Sequence, residues 1–130
     1  MIQKLDSVML IDDDKITIFL QKNVFEKLAY ANKILTYDYA NNALEFLKSG
    51  IEIPELILLD LNMPEMDGWD FLAQFKKMKL NIIPKIFILT SSISSVDLKR
   101  AQSIKEVTGF LSKPLNEDKL STIMQTHFQH

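Results

Sequence analysis

Short apolar runs alternate with amphipathic stretches five times along this sequence. The runs, each 5 or 6 residues long, occupy residues 7–11, 33–37, 55–60, 86–90 and 107–111. Segments with apolar side chains at helical spacing follow them, at residues 15–29, 40–48, 67–77, 95–105 and 116–127. Repeated alternation of this kind is typical of a parallel sheet covered by helices on both faces. We therefore predict an α/β, three-layer, doubly wound fold.

The composition narrows the classes of protein to which the chain can belong. Its 130 residues are enough for one domain with a hydrophobic core. The absence of cysteine excludes disulfides, thiolate metal sites and cysteine nucleophiles. A net charge of −2 gives no basic footprint for nucleic acid, and no apolar run approaches the roughly 20 residues of a membrane span. We expect one cytoplasmic domain over residues 1–130, with no output domain and no direct contact with nucleic acid or membrane.

Polar side chains stand where the predicted strands end. Asp12 and Asp13 follow the first strand, Asp60 ends the third, Thr90 ends the fourth, and Lys113 follows the fifth. Because the carboxyl ends of parallel strands share one edge of a sheet, these groups should converge there. Crowded carboxylates repel one another unless a cation lies among them. A set made only of oxygens favours a hard cation such as Mg²⁺.

A metal, a lysine and a hydroxyl together suit a phosphoryl group in transfer, and a carboxylate such as Asp60 can itself accept it as an acyl phosphate. Plainer interpretations exist for each residue. Asp60 can be a turn residue at the end of a strand, and Asp12 and Asp13 can cap the first helix. Thr90 can be an ordinary strand former. The residues alone leave these alternatives open.

Four motifs, taken together, resemble the response-regulator receiver domain of two-component signalling. They are LIDDD at 10–14, LDLNMPEMDG at 59–68, ILTSS at 88–92 and FLSKP at 110–114. Their order and spacing are similar to those of the family over essentially the whole chain, and the stand-alone chemotaxis type is the nearest in organisation. The resemblance implies a flavodoxin-like sheet of five strands in the order 2-1-3-4-5.

The resemblance also implies roles for the acidic residues. Asp60 is similar to the phosphoryl acceptor, and Asp13 to the direct ligand of Mg²⁺, for which Mn²⁺ can substitute. Asp12 resembles the acid that acts on the metal chiefly through water. Asn62 resembles the residue that binds the metal through its backbone carbonyl. All four are therefore candidate members of one metal site.

Three further residues resemble the part of the family that carries the signal. Lys113 is similar to the lysine that contacts the phosphoryl group, and its bond to Pro114 is expected to be cis. Thr90 resembles the hydroxyl that moves toward the phosphoryl group, and Phe110 the aromatic residue that rotates with it. Phe110 departs from the tyrosine of many members and lacks a hydroxyl. Ser92 stands where the chemotaxis member has an acid, which leaves the lifetime of the phosphorylated state undetermined.

These features predict a phosphorylation-activated switch rather than an enzyme that turns over an external substrate. The donor would be a sensor histidine kinase or a phosphotransfer protein, and a separate effector would read the output. The first alternative is a Mg²⁺-dependent phosphatase, but such enzymes usually have a second acid two residues after the nucleophile, where this chain has Asn62. The second is a receiver-like binding module that is never phosphorylated. It would lack an acid, the lysine or the hydroxyl, and none is missing.

The first predicted helix also suggests a docking surface. A stripe of Thr17, Leu20, Val24 and Leu28 is expected to face the sheet. Its neighbours Ile18 and Phe19 would then point away from the sheet. Exposed apolar side chains beside a reactive site are typical of docking surfaces. We hypothesise that Phe19, with Ile16 and Ile18, helps to dock the kinase or phosphotransfer protein.

Overall fold

Five strands and five helices alternate along the chain in a computed structural model that describes residues 3–91 and 94–129. The strands are β1 (Leu5–Ile11), β2 (Ala31–Tyr37), β3 (Leu56–Leu59), β4 (Lys85–Thr90) and β5 (Val107–Ser112). The helices are α1 (Lys15–Leu28), α2 (Ala40–Ser49), α3 (Gly68–Lys76), α4 (Ser95–Gln102) and α5 (Glu117–His127). Every predicted element is present, and the largest difference is that α4 ends three residues before its predicted end.

All neighbouring strands of the sheet are parallel, in the order β2-β1-β3-β4-β5. The predicted fold class and strand order are both confirmed. The chain moves outward from β1 to β2 and then returns past β1 to β3, so its direction reverses between these two central strands. The carboxyl ends of β1 and β3 therefore flank the crevice in which open α/β sheets bind ligands.

The sheet separates two hydrophobic cores, because successive side chains along each strand point to opposite faces. Ile57 and Leu59 face the core that is closed by α2, α3 and Ala101 of α4. Leu56 and Leu58 face the opposite core, closed by α1 and α5. The central strands are buried on both faces, which explains their almost unbroken apolar sequence. Within the described ranges, no helix is long and apolar enough to cross a membrane.

Helix α1 presents a different face to the sheet from the one predicted. Phe25 and Gln21 are buried, and Ile18 and Leu28 pack partly buried beside them, whereas Leu20 is half exposed. The prediction that Leu20 faces the sheet and Ile18 points away is therefore wrong. Residues 18, 21, 25 and 28 also follow helical spacing. This face prevails because it buries the large Phe25 ring, which removes more apolar surface from water than Leu20 could.

Residues at the helix ends fix where α3 begins and where α2 ends. Asp67 accepts a hydrogen bond from the Asp70 backbone N–H (2.9 Å), and the Asp67 N–H donates to the Asp70 carboxylate (3.2 Å). This capping box confirms the predicted start of α3. Gly50 ends α2 with a φ of 70°, a conformation that costs glycine little.

Candidate functional site

Three carboxylates meet at the carboxyl edge of the sheet. Asp12 follows β1 and Asp60 follows β3, and these strands are hydrogen-bonded neighbours with Ile11 opposite Leu59. Carboxylate oxygens of Asp12, Asp13 and Asp60 all lie within 4.8 Å of one another. Asp12 and Asp60 are only 1% and 5% exposed, while Asp13 is open to solvent. The fold thus brings together the three acids that the sequence singled out.

Lys113 brings a positive charge to these acids. Its Nζ lies 2.7 Å from Asp12 Oδ2 and 3.5 Å from Asp60 Oδ1. The Lys113 backbone N–H donates to the Thr90 carbonyl (2.8 Å), which continues the pairing of β4 with β5 beyond Ser112. The peptide bond to Pro114 is cis, as expected from the resemblance. The backbone of Lys113 is therefore held at the edge of the sheet, and its side chain reaches the acidic cluster.

The environment shifts the ionisation of Asp60 and Lys113. Burial, reinforced by the nearby charge of Asp12, raises the pKa of Asp60 to about 6 against the opposing effect of Lys113. For Lys113, burial alone would lower the pKa, but the adjacent Asp12 and Asp60 outweigh it and raise the pKa above its ordinary value. Lys113 therefore stays charged near neutral pH, while Asp60 loses its proton only above about pH 6.

The acids have oxygen atoms to spare for a divalent cation. Asp12 Oδ1 accepts a hydrogen bond from the Asp14 backbone N–H (2.9 Å). Asp12 Oδ2 is buried and, apart from its ion pair with Lys113, has no hydrogen-bond partner among the described residues. Together with Asp13 and Asp60, it forms an all-oxygen set of the kind that Mg²⁺ prefers.

Asp14, rather than Asp12 or Asp13, caps helix α1. Its carboxylate accepts hydrogen bonds from the Thr17 hydroxyl (2.9 Å) and the Ile16 backbone N–H (3.0 Å). These hydrogen bonds lower the pKa of Asp14, and the bond from Thr17 has the largest effect. The interpretation of Asp12 and Asp13 as the caps of this helix is therefore wrong. The capping function is fulfilled one residue later, which leaves both side chains free to face the cluster.

Thr90 and Asn62 lie together beside the acids. Thr90 is fully buried at the end of β4, and its Oγ1 is 3.4 Å from the side-chain Nδ2 of Asn62. Asn62 is exposed in the loop that follows Asp60. Its backbone carbonyl remains a predicted metal ligand. Ser92, which the resemblance connects with the lifetime of the phosphorylated state, lies outside the described residues.

Phe110 lies on β5 with space beside it. It is opposite Ile88 of β4 and packs, partly buried, against the core that α2 and α3 close. A cavity of about 300 Å³ lies along its strand and is lined also by Leu98 and Ala101 of α4. The predicted rotation of this side chain therefore has free volume next to α4.

Gly68 is needed for a close approach rather than for a turn. Its φ is not positive, in contrast to the turn requirement that a glycine in this loop suggests. A Cβ at this position would lie 2.6 Å from the Asp60 backbone oxygen and 2.9 Å from Leu61 Cα. Glycine therefore allows the start of α3 to lie directly against the backbone of the central acid.

Sequence reasoning missed a contact between two loops around the site. The Tyr39 hydroxyl donates to Glu65 Oε1 (3.1 Å), which joins the loop after β2 to the loop that carries Asn62. Glu65 has a φ of 66°, a conformation that is uncommon for residues other than glycine. No spacing rule connects residues 26 positions apart, so only the folded chain reveals this pair.

The proposed docking residues on α1 divide into two groups. Ile16 and Phe19 are 71% and 62% exposed, so the expected exposure of Phe19 is confirmed. Ile18 is partly buried against the core and lies on the sheet-facing side of the helix. Half-exposed Leu20 extends the apolar surface in its place.

Known proteins share both the sequence pattern and the fold of this chain. The family model described as the response regulator receiver domain matches residues 8–125. The chain belongs to this family. A probable methanogenesis regulatory protein of Methanothrix harundinacea (strain 6Ac) is 32% identical over 123 residues, which cover 91% of this chain and 78% of that protein. A two-component response regulator from Cytophaga hutchinsonii has a crystal structure similar to this receiver domain, with a TM-score of 0.85, 29% identity and coverage of 95% of this chain and 97% of that one.

Receiver domains similar to this one also occur inside much larger proteins. The hybrid signal transduction histidine kinase D of Dictyostelium discoideum is 34% identical over 127 residues, which span 92% of this chain but only 8% of the kinase. The likeness therefore concerns the receiver domain and not the activities of the rest of that kinase.

Proposed function

We propose that this receiver domain is a phosphorylation-activated switch of a two-component system, in which Asp60 accepts a phosphoryl group from a histidine kinase or a phosphotransfer protein. The observation that carries the proposal is the meeting of Asp12, Asp13 and Asp60 within 4.8 Å, with Lys113 Nζ 2.7 Å from Asp12. Membership of the family supports the same function.

The reaction transfers a phosphoryl group from a histidine nitrogen of the donor to a carboxylate oxygen of Asp60. A carboxylate oxygen of Asp60 attacks the phosphorus of a phosphohistidine, so that an O–P bond forms and the P–N bond breaks. The other ring nitrogen of the phosphohistidine carries a proton, so when the electron pair of the broken bond returns to the ring, the donor leaves as a neutral imidazole. With a pKa of about 6, Asp60 is ionised for the most part at neutral pH and can act as the nucleophile.

Lys113 is the residue of this chain that is best placed to receive the negative charge of the phosphoryl oxygens. Its ammonium already lies 3.5 Å from Asp60 Oδ1 and stays protonated because of its acidic neighbours. A positive charge held in place by the β4–β5 pairing costs no reorganisation when the phosphoryl group arrives. We assign Lys113 to phosphoryl binding and to stabilisation of the transfer.

Asp12, Asp13 and Asp60, with the backbone carbonyl of Asn62, would hold the Mg²⁺ or Mn²⁺ that the family implies. When bound, such a cation supplies positive charge that reduces the repulsion among the carboxylates and the incoming phosphoryl group. Asp12 contributes a buried carboxylate that also pairs with Lys113 at 2.7 Å, and exposed Asp13 gives access from solvent.

Thr90 and Phe110 would carry the change to the surface. Once Asp60 carries a phosphoryl group, the Thr90 hydroxyl can leave Asn62 and donate to a phosphoryl oxygen. The space vacated beside β4, together with the cavity next to α4, lets Phe110 turn inward. Both states exist before phosphorylation, which shifts the balance between them. A separate effector would read the new arrangement of α4, β5 and α5.

Exposed Ile16 and Phe19, with half-exposed Leu20, would help to dock the phosphoryl donor. They lie on the first turns of α1, directly after the acids, so a partner that covers them also faces Asp60. Ile18 supports the surface from beneath rather than by direct contact.

Intact-mass spectrometry after incubation with acetyl phosphate and Mg²⁺ tests the acceptor. The wild-type chain should gain one phosphoryl group, and Asp60→Asn should gain none. Asp38→Asn, an exposed acid at the same edge of the sheet, is the matched control and should behave like wild type. A wild-type chain that binds Mg²⁺ and stays unmodified would instead indicate a receiver-like module that is never phosphorylated.

A further inference from the structure

An apolar groove opens at the edge of the sheet opposite the acids. It lies between the loop at 50–55, which precedes β3, and the loop at 77–84, which precedes β4, and has a volume of about 610 Å³. Leu47, Ile53, Met78 and Leu80 line its floor. The acids follow the carboxyl ends of the strands, whereas these loops precede the amino ends, so the groove and the acids are separated by the length of a strand, about 15–20 Å.

Exposed isoleucines form the rim of the groove. Ile51 is 81% exposed, Ile82 63% and Ile83 71%. Ile51 and Ile82 line the groove itself, and Ile83 lines a smaller depression that shares Met78 with it. Branched apolar side chains so open to water, grouped around an apolar floor, are typical of a protein-binding surface.

Lysines outnumber acids around the groove. Lys48 and Lys79 line the groove, and Lys76 lines the adjoining depression. None of these three forms an ion pair with any residue in 3–91 or 94–129. Of the two acids, Glu52 in the groove wall is already paired with Lys33 at 2.9 Å, and Glu106 lines only the adjoining depression. The surface therefore offers free positive charge to a partner.

Backbone hydrogen bonds hold the two loops in place. The Lys85 N–H donates to the Glu55 carbonyl (3.0 Å), which joins the ends of both loops, and the Glu55 N–H donates to Ser7 (3.1 Å). The Met78 N–H donates to the Phe75 carbonyl (3.0 Å) and continues α3 into the second loop. A groove formed in advance loses little entropy when it binds a ligand.

We propose that this groove, defined by the loops at 50–55 and 77–84, docks an acidic amphipathic helix of a separate protein. Apolar side chains at helical spacing would enter between Ile51 and Ile82, and flanking carboxylates would pair with Lys48, Lys76 and Lys79. A concave site with its apolar floor below the rim favours an inserted helix over a flat lipid surface. Because the site lies at the far edge of the sheet, such a partner leaves Asp60 accessible to a phosphoryl donor.

Fluorescence anisotropy with a designed peptide tests this proposal. The probe is a labelled helical peptide with Leu at positions i, i+3, i+4 and i+7 of each repeat and Glu elsewhere, and a peptide with Lys in place of Glu is its charge-reversed partner. The acidic peptide should bind, and the basic one should not. The double variants Lys48→Glu/Lys79→Glu and Ile51→Ser/Ile82→Ser should each weaken binding about tenfold or more.

Matched controls separate the groove from general surface effects. Lys99→Glu and Val96→Ser change exposed residues elsewhere and should bind the acidic peptide like wild type. All groove variants should still accept a phosphoryl group from acetyl phosphate, so this test succeeds or fails independently of the proposed switch. Salt should weaken binding, because exposed charges are screened.

Several results would overturn the docking proposal. One is that the basic peptide binds as well as the acidic one; another is that neither binds at low salt or that the groove variants bind unchanged. Sedimentation with phosphatidylserine-containing vesicles that needs Lys48 and Ile51 would identify a membrane surface instead. A concentration-dependent dimer that Ile51→Ser/Ile82→Ser dissociates would identify a second copy of this chain as the occupant.

Discussion

Lys113 Nζ lies 2.7 Å from Asp12 Oδ2, so a cation from the end of β5 pairs with a buried acid from the end of β1. The strands between β1 and β5 bring the two residues together. The Lys113 backbone N–H donates to the Thr90 carbonyl at the end of β4, and the Asp12 carboxylate lies within 4.8 Å of that of Asp60, which follows β3. Four strand ends thus contribute to one charged site.

Asp60→Asn should stabilise the metal-free protein at pH 7. The pKa of Asp60 in the folded chain, about 6, is above its ordinary value of 3.8 because burial and Asp12 disfavour the charge. Between these values the unfolded chain loses a proton that the folded chain keeps, so stability falls as pH rises through that window. The variant should gain about 1–3 kcal/mol in its free energy of unfolding at pH 7 and nothing below about pH 4.

Urea unfolding in EDTA at several pH values measures this difference. Asp38→Asn, an exposed acid, is the control and should change stability little at any pH. Added Mg²⁺ should reduce the advantage of Asp60→Asn, because a cation that binds the folded wild type stabilises it. An advantage of the same size at pH 3 and pH 7 would contradict the electrostatic explanation.

Lys113→Met should destabilise the protein at neutral pH. The buried carboxylate of Asp12 would lose the ammonium 2.7 Å away, and Asp60 its partner at 3.5 Å. We expect a loss of about 1–3 kcal/mol in the free energy of unfolding at pH 7. Thermal and urea unfolding measure it, with Lys99→Met, on an exposed position of α4, as the control.

The double variant Lys113→Met/Asp60→Asn provides the sharper comparison. Because Lys113 partly neutralises Asp60 in the wild type, Asp60→Asn should stabilise the Lys113→Met variant more than it stabilises the wild type. Strictly additive effects of the two substitutions would show that Lys113 and Asp60 do not interact in solution.

Thr90→Val should separate phosphorylation from signalling. Valine keeps the shape of the buried side chain but cannot donate a hydrogen bond to a phosphoryl group. Asp60 should still be modified by acetyl phosphate, while the amide NMR shifts of Leu98 and Phe110 should no longer change on modification. Thr90→Ser, which keeps the hydroxyl, should restore those changes. Equal shift changes in the valine variant and wild type would exclude Thr90 from the relay.

Phe19→Ala should slow transfer from a protein donor but not from a small one. Phe19 is 62% exposed and contributes apolar surface beside the acids, so its loss weakens docking without disturbing the core. Transfer from a phosphorylated sensor kinase or phosphotransfer protein should fall about tenfold, a typical cost for an aromatic anchor. Modification by acetyl phosphate should be unchanged. Val96→Ala, an exposed apolar residue of α4, is the control, and a Phe19→Ala chain that receives the group at the wild-type rate would rule out docking through this ring.

Local chemistry in the sequence determined the succession of elements and the identity of the central acids. The apolar runs, the Asp67 cap and Gly50 each act through neighbours within a few residues, so their effect can be read along the chain. The motifs at the strand ends pointed to Asp12, Asp13, Asp60 and Lys113 because parallel strands must end at a common edge.

Tertiary packing alone decided which of several acceptable local patterns prevailed. Helix α1 carries two stripes at helical spacing, and burial of Phe25 selected the one that turns Ile18 inward and leaves Leu20 half exposed. The pKa of Asp60, the pairing of Tyr39 with Glu65 and the groove between two distant loops likewise depend on distances between residues remote in sequence. Such distances are fixed only when the two cores close around the sheet, since burial and Coulomb interactions act through space and not along the chain.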